Sequence, residues 1–156
     1  SWRRPPCTIQ TRMNISKHKD GMMLLMALLW ITTMFLGWYN YYLPAMILGV
    51  VLMLIHIVLG AAHHDKLSKS FFRYPVLIWA IFWITSFLLS WYFSNKFAGQ
   101  TPNFTILGFH PSFAPTVFLY WLGGMFTLSL GLYLKRDEWL SEKDWEEFRA
   151  SVREED

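Results

Sequence analysis

His56 stands inside an apolar run, residues 44–62, and no other Asp, Glu, Lys, Arg or His lies at depth in a hydrophobic segment. An imidazole there has two uses. It can ligate a tetrapyrrole, haem or chlorophyll, or it can sit neutral and hydrogen-bonded to a hydroxyl or carbonyl. A bis-histidine haem needs a second His at matching depth. The other apolar runs contain none, so a second ligand would have to come from another protein. His63, His64 and Asp65 follow at the end of the same run, but adjacent side chains diverge on a helix, and the triplet is expected to be a solvated cap rather than a metal site. His110, beside Pro111, has no neighbouring Cys, Asp or Glu and is expected to be structural. No nucleophile can be matched with a base and an orienting acid, and no phosphate-cradling glycine loop occurs. The chain is therefore expected to be non-catalytic, with no metal site.

The elements that must carry these residues follow from composition. Of 156 residues, 54% are hydrophobic and only 16% charged, and four apolar runs approach the roughly 20 residues that cross a bilayer. The spans are expected at about 22–43, 44–62, 75–93 and 115–134. Aromatic belts close the first (Trp38, Tyr39, Tyr41, Tyr42) and third (Trp91, Tyr92). Asn40 falls in the turn before Pro44, and a proline in the first turn of a helix loses no hydrogen bond. Basic residues set the orientation. Thirteen of fourteen Lys and Arg precede span one, join spans two and three, or follow span four; only Lys96 lies opposite. Since basic loops stay on the cytoplasmic side, both termini are expected there. All eleven acidic residues share that side, so spans without carboxylates or Lys/Arg argue against a self-sufficient pump or transporter. Hydroxyls such as Thr32, Thr33, Thr85, Ser86 and Ser90 are expected to serve local or interhelical hydrogen bonds. The net charge of +3 flanks apolar segments and forms no soluble basic patch, which excludes nucleic acid as the expected partner. Residues 1–20 show no cleavable-signal pattern, and a chain opening on Ser1 is expected to be processed or part of a longer one. Cys7 is the sole cysteine, which allows no internal disulfide.

Two features point toward protein contact. Gly123, Thr127 and Gly131 recur every four residues and form a small-residue stripe on span four, which lets another helix approach closely in lipid. That helix is either this chain's span two, where Ala45 and Gly49 have the same spacing, or another subunit. The connection from about 94 to 114 has Lys96 as its only charge and carries Phe97, Phe104, Ile106, Leu107, Phe109 and Phe113. So apolar a loop is expected to lie in the membrane interface or under another protein. Beyond span four, Ser141 and Asp144 make a capping-box-like start, followed by Trp145, Phe148 and Val152 at helical spacing. A short amphipathic helix is expected, resting on the membrane or on a partner. The candidate partner-binding residues are Phe104, Phe109, Phe113, Gly123, Thr127, Gly131, Trp145 and Phe148, with His56 the candidate cofactor ligand.

The segment from about Tyr74 to Leu140, with "LLSWYF", "LGFHPSFAPTVFLYWLGGMF" and "GLYLKRDEWL", resembles the small two-helix accessory subunits encoded beside sodium/solute symporters. The resemblance implies two spans, a Gly-Phe-containing loop entering the second, a charged tail, and a role in assembly or regulation of a larger transporter. It carries over no substrate-binding residue. The hairpin 22–62 with His56 lies outside that plan. The expected fold is an all-α membrane protein with four transmembrane helices in two hairpins and a short amphipathic C-terminal helix. A basic tail, 1–21, precedes the bundle and a charged tail, 135–156, follows it. Membrane lipids and larger integral membrane subunits are the expected partners. The expected function is that of an accessory subunit; the competing one is a haem- or chlorophyll-holding subunit of an electron-transfer, photosynthetic or oxidase complex.

Overall fold

The computed structural model describes residues 12–62 and 66–154; Cys7 and the triplet His63, His64 and Asp65 lie outside them. Four helices are long and apolar enough to cross a membrane, and the chain is an all-α membrane protein. Helix α1 spans Lys19–Trp38, with Asp20 in its first turn facing the positive end of the helix dipole. It ends where Asn40 takes a left-handed φ of 64°, a conformation asparagine tolerates. Tyr41 N–H then donates to Leu36 C=O (2.8 Å) and Asn40 N–H to Gly37 C=O (3.2 Å), so the last carbonyls are satisfied inside the turn. Helix α2, Tyr42–Ala61, starts at once, with Pro44 in its first turn.

The third span is reached through a helical turn, Lys69–Phe71, and a π-helical stretch, Phe72–Leu77. Tyr74 breaks that stretch at φ −133°, ψ 123°, because the ring of the following proline disfavours helical backbone before it. The Tyr74–Pro75 bond is cis. Helix α3 then runs over Ile78–Lys96. Helix α4, Thr116–Leu134, contains π-helical turns at Thr116–Leu122 and Met125–Ser129 on either side of the Gly123-Gly124 pair. Helix α5, Glu142–Glu154, is the amphipathic one. Ser141 N–H donates to the Asp144 carboxylate and Asp144 N–H to Ser141 Oγ, the reciprocal cap its sequence announced.

Successive helices are neighbours: α1 packs on α2, α2 on α3, and α3 on α4. Trp79, Val50 and Ala80 form one buried cluster at the junction of α2 and α3, with Leu128 of α4 against it. A second cluster, Val58, Ala61, Leu67, Phe71 and Val76, fills the end where α2 gives way to the third span. Helix α1 buries no residue and stands at the edge of the bundle.

Two short strands were not expected. Strand β1, Arg12–Asn14, pairs antiparallel with β2, Lys66–Ser68, Met13 facing Leu67 across the ladder. The segment before α1, read from sequence as part of a basic tail, is thus tied to the connection between α2 and the third span. Next to it, Ser68 Oγ donates to Glu138 Oε2 (2.6 Å), and Lys135 Nζ reaches both Ser70 Oγ (2.8 Å) and Glu138 Oε1 (3.3 Å). Trp139 Nε1 donates to Leu132 C=O (3.0 Å). A charge-assisted network therefore holds the end of α4 against the α2–α3 connection at the basic end of the bundle.

Candidate functional site

His56 projects from α2 beside a cavity of about 280 Å³ bounded by α1, α2 and α3. Its Nδ1 lies 2.7 Å from Leu52 C=O, one turn back on its own helix. A carbonyl only accepts, so Nδ1 is the protonated nitrogen, and in the neutral ring Nε2 carries a bare lone pair. The hydrogen-bonded-to-carbonyl role expected for His56 is present, yet it uses only half the ring. Trp30 and Thr33 come from α1, Met46, Gly49 and Met53 from α2, and Trp83 and Phe87 from α3. Trp83 is held in place from behind by Tyr120 of α4, their rings stacked at 4.1 Å and 26°. Sequence singled out His56, and named Thr33 and Gly49 only for hydrogen bonding and helix packing, because which faces of three helices converge on one space is not written in the spacing along any one of them.

The small-residue stripe of α4 faces the third span of its own chain. A side chain at Gly123 would meet the Phe82 ring at 2.8 Å, one at Gly124 would meet Trp83 Nε1 at 2.8 Å, and one at Gly131 would run into Pro75. Thr127 is buried and donates to Gly123 C=O (2.7 Å). The stripe is therefore filled from within, by the third span and not, as the matching Ala45/Gly49 spacing suggested, by span two. In this fold Gly123, Thr127 and Gly131 offer no open face to a partner, since close backbone approach is already used inside the bundle.

The connection between α3 and α4 is ordered by its own aromatic rings. Phe104 sets its edge against Phe93 (6.1 Å) and Phe97 (5.8 Å), Phe109 against Phe118 (6.1 Å), and Phe113 against Trp121 (5.9 Å). His110 Nδ1 accepts from Ser112 N–H (3.1 Å), a structural turn as expected. Ser86 Oγ donates to Pro115 C=O (3.0 Å) and ties α3 to the start of α4. The loop tip is a two-residue hairpin: Ile106 and Phe109 exchange both backbone hydrogen bonds (3.0 and 2.9 Å) around Leu107 and Gly108, at φ 50° and 85°. Such a turn needs left-handed backbone at both central residues and favours Asn-Gly. Here a leucine occupies the first place, and the residue is 81% exposed. Phe104, Phe109 and Phe113 remain part-exposed around it. On α5, Trp145 and Phe148 are stacked and exposed.

Among the described residues no group of three His, Cys, Asp or Glu comes together to hold a metal. Thr32 and Thr33 donate to Leu28 and Leu29 carbonyls (both 2.8 Å), the local use expected of span hydroxyls. Ser90 Oγ and the indole nitrogens of Trp79 and Trp83 are buried and lack a hydrogen-bond partner among the described residues.

The length and apolar composition of its four long helices define a multi-pass membrane protein. No protein-family model matches the chain, and no curated sequence or solved structure matches it at a significant level.

Proposed function

We propose that the chain is a non-catalytic accessory subunit of a larger integral membrane complex, supporting its assembly or regulation, with both termini on the cytoplasmic side. The observation that carries this reading is Leu107. Left-handed backbone costs a non-glycine residue about 1–2 kcal/mol. The loop holds that conformation in order to present an apolar side chain outward, flanked by part-exposed Phe109 and Phe113. An asparagine would fit the turn without the cost. Residues that relieve strain are the default where nothing else is required, so the leucine points to a surface that meets another apolar surface. The resemblance of residues 74–140 to symporter-associated subunits names a transporter as the kind of partner, and the exposed Trp145/Phe148 face of α5 offers a second contact on the cytoplasmic side.

The test is affinity isolation from the native membrane in mild detergent, with mass spectrometry of what co-purifies. The expected result is recovery of a larger integral membrane protein with the wild-type chain. Leu107→Asn lowers that recovery about tenfold, while raising the stability of the isolated chain by about 1 kcal/mol through relief of strain. Recovery of the wild-type chain as a lone monomer, or Leu107→Asn leaving co-purification unchanged, rejects the reading.

The second reading, a haem- or chlorophyll-holding subunit, draws on the Nδ1 bond of His56, since ligating histidines commonly donate their other N–H to a carbonyl. Against it stands the cavity volume of about 280 Å³, small for a macrocycle when sites for drug-sized ligands run from about 300 to 1,000 Å³.

A further inference from the structure

Helix α5 carries its charges in a pattern that fits a second copy of itself. Trp145, Phe148 and Val152 fall three and four residues apart on one face of this 13-residue helix, all exposed, with the Trp145 and Phe148 rings stacked at 5.7 Å. At about 100° per residue, Glu142 and Arg149 lie together on one flank of that stripe, two helical turns apart. Both are exposed, and neither side chain has an ion-pair or hydrogen-bond partner among the described residues. Their neighbours are already engaged. Lys143 pairs with Glu147 along the helix at 3.6 Å, and Asp144 is committed to the cap with Ser141.

The charges also discriminate between occupants of the stripe. Helices that rest on a membrane surface are rich in Lys and Arg, whereas α5 holds five acidic and three basic residues, so an anionic surface repels it. The distribution along the helix is uneven. Residues 142–147 hold four acidic side chains and Lys143, and residues 148–154 hold Arg149, Arg153 and Glu154. Two copies laid side by side in the same direction set acidic half against acidic half; laid in opposite directions, they set acidic against basic. With a two-fold axis across such an antiparallel pair, Trp145 of each copy meets Phe148 of the other. The same register brings Glu142 of each copy beside Arg149 of the other. An unrelated partner would have to supply both charges at that spacing, and a second copy has them already. We propose that α5 pairs antiparallel with α5 of a second copy of this chain, through a Trp145–Phe148 core and two symmetric Glu142–Arg149 ion pairs. Two helices of this length are marginal as a free pair in water. Here each is joined to four membrane spans, and sharing a bilayer raises the effective concentration at which the copies meet. The pairing uses the opposite end of α4 from the Leu107 loop and does not rest on the accessory-subunit reading.

The experiment measures Förster transfer between donor- and acceptor-labelled full chains, mixed in liposomes of neutral lipid and diluted with lipid in steps; Cys7, the sole cysteine, takes the labels. Transfer in the wild-type chain is expected to fall with dilution along a monomer–dimer curve. Glu142→Arg or Arg149→Glu alone turns both ion pairs into repulsions and weakens the dimer about tenfold at low salt, and by less at about 1 M salt. The double variant, Glu142→Arg with Arg149→Glu, restores the affinity to within about threefold of the wild type, which a helix merely damaged by the substitutions would not do. Trp145→Ser with Phe148→Ser abolishes the transfer while the helicity of the chain is unchanged. In a Cys7→Ser background, oxidation of a mixture of Glu142→Cys and Arg149→Cys copies links unlike copies and not like ones, which fixes the direction of the pair. Wild-type transfer no greater than random proximity gives, single reversals as tight as the wild type, a double variant no tighter than the singles, transfer that survives the serine pair, or linking of like copies overturns the proposal. Leu107→Asn leaves the dimer unchanged, so the two readings fail separately.

Discussion

Gly131→Leu is expected to cost the chain its folded bundle, and Gly131→Ala to destabilise it by about 3 kcal/mol, the upper end of what overpacking a well-packed core does. A Cβ built on Gly131 would sit 2.6 Å from Pro75 Cγ and 3.2 Å from Pro75 Cα, with Pro75 Cβ nearer still. Nothing there can yield. Pro75 is fully buried, its ring has no alternative rotamer to swing into, and its backbone belongs to the junction that starts the third span. The neighbours at Gly123 and Gly124 are of another kind, since the nearest atoms belong to the rings of Phe82 and Trp83, which can turn at a smaller cost. Gly60, with nothing within 4 Å, is the control: Gly60→Ala is expected to be neutral or to stabilise by up to about 1 kcal/mol, because alanine is the better helix former. Detergent-denaturant titration in micelles, followed by circular dichroism and tryptophan fluorescence, gives the ranking. If Gly131→Leu unfolds no earlier than Gly60→Leu, α4 is not seated on Pro75 and the packing of the bundle described above is wrong.

That contact marks the boundary of what sequence could foretell. The four spans were legible, because length and absence of charge are properties of a single segment, and the bilayer sets the length required. So were Asn40 in the first turn, the third span's stretch from about residue 75 and the Ser141–Asp144 cap, each set within a few residues. The partner of the α4 stripe was not legible. Spacing shows that Gly123, Thr127 and Gly131 share a face, but which helix fills it depends on how the bundle closes, and Pro75 and Phe82 give no small-residue signal in return. The β1–β2 ladder escaped for a similar reason. Three residues on each side, 54 positions apart, form no pattern until the α1–α2 hairpin has brought them together. At the candidate site His56 stood out as an ionisable group in an apolar run, whereas its hydrogen bond to Leu52 C=O and the convergence of Trp30, Trp83 and Phe87 beside it appear only in the folded bundle. Leu107 was one apolar residue among six in its loop, and only its backbone conformation sets it apart.

Trp79→Ala is expected to destabilise the bundle by roughly 0.5–2.5 kcal/mol, and Trp79→Phe to be neutral or stabilising. Trp79 is the largest fully buried side chain and fills the junction of α2, α3 and α4, touching Trp83 at 4.9 Å between ring centroids. In water its removal would carry both a transfer and a cavity penalty. In a bilayer the transfer part falls away, because lipid tails are as apolar as the core, and packing alone remains. A void of roughly 140 Å³ at about 24 cal/mol per Å³ gives ~3.4 kcal/mol, reduced by whatever relaxation the site allows. A second effect opposes it. The indole N–H of Trp79 is buried without a hydrogen-bond partner among the described residues, and an unsatisfied donor costs about 1–3 kcal/mol. Both substitutions remove that donor, but phenylalanine leaves a void of only about 40 Å³, so ~1 kcal/mol of lost packing meets a relief of equal or greater size. Trp30, half exposed at the edge of the bundle, is the control for a tryptophan that contributes little packing, and Trp30→Ala should change stability by less than about 1 kcal/mol. The decisive comparison is Phe against Ala at position 79 in the same micelle titration. Equal losses would mean that the indole N–H is engaged after all, by trapped water or by a subunit that reaches the α2–α3–α4 junction, and that Trp79 is held there by a hydrogen bond rather than by its volume.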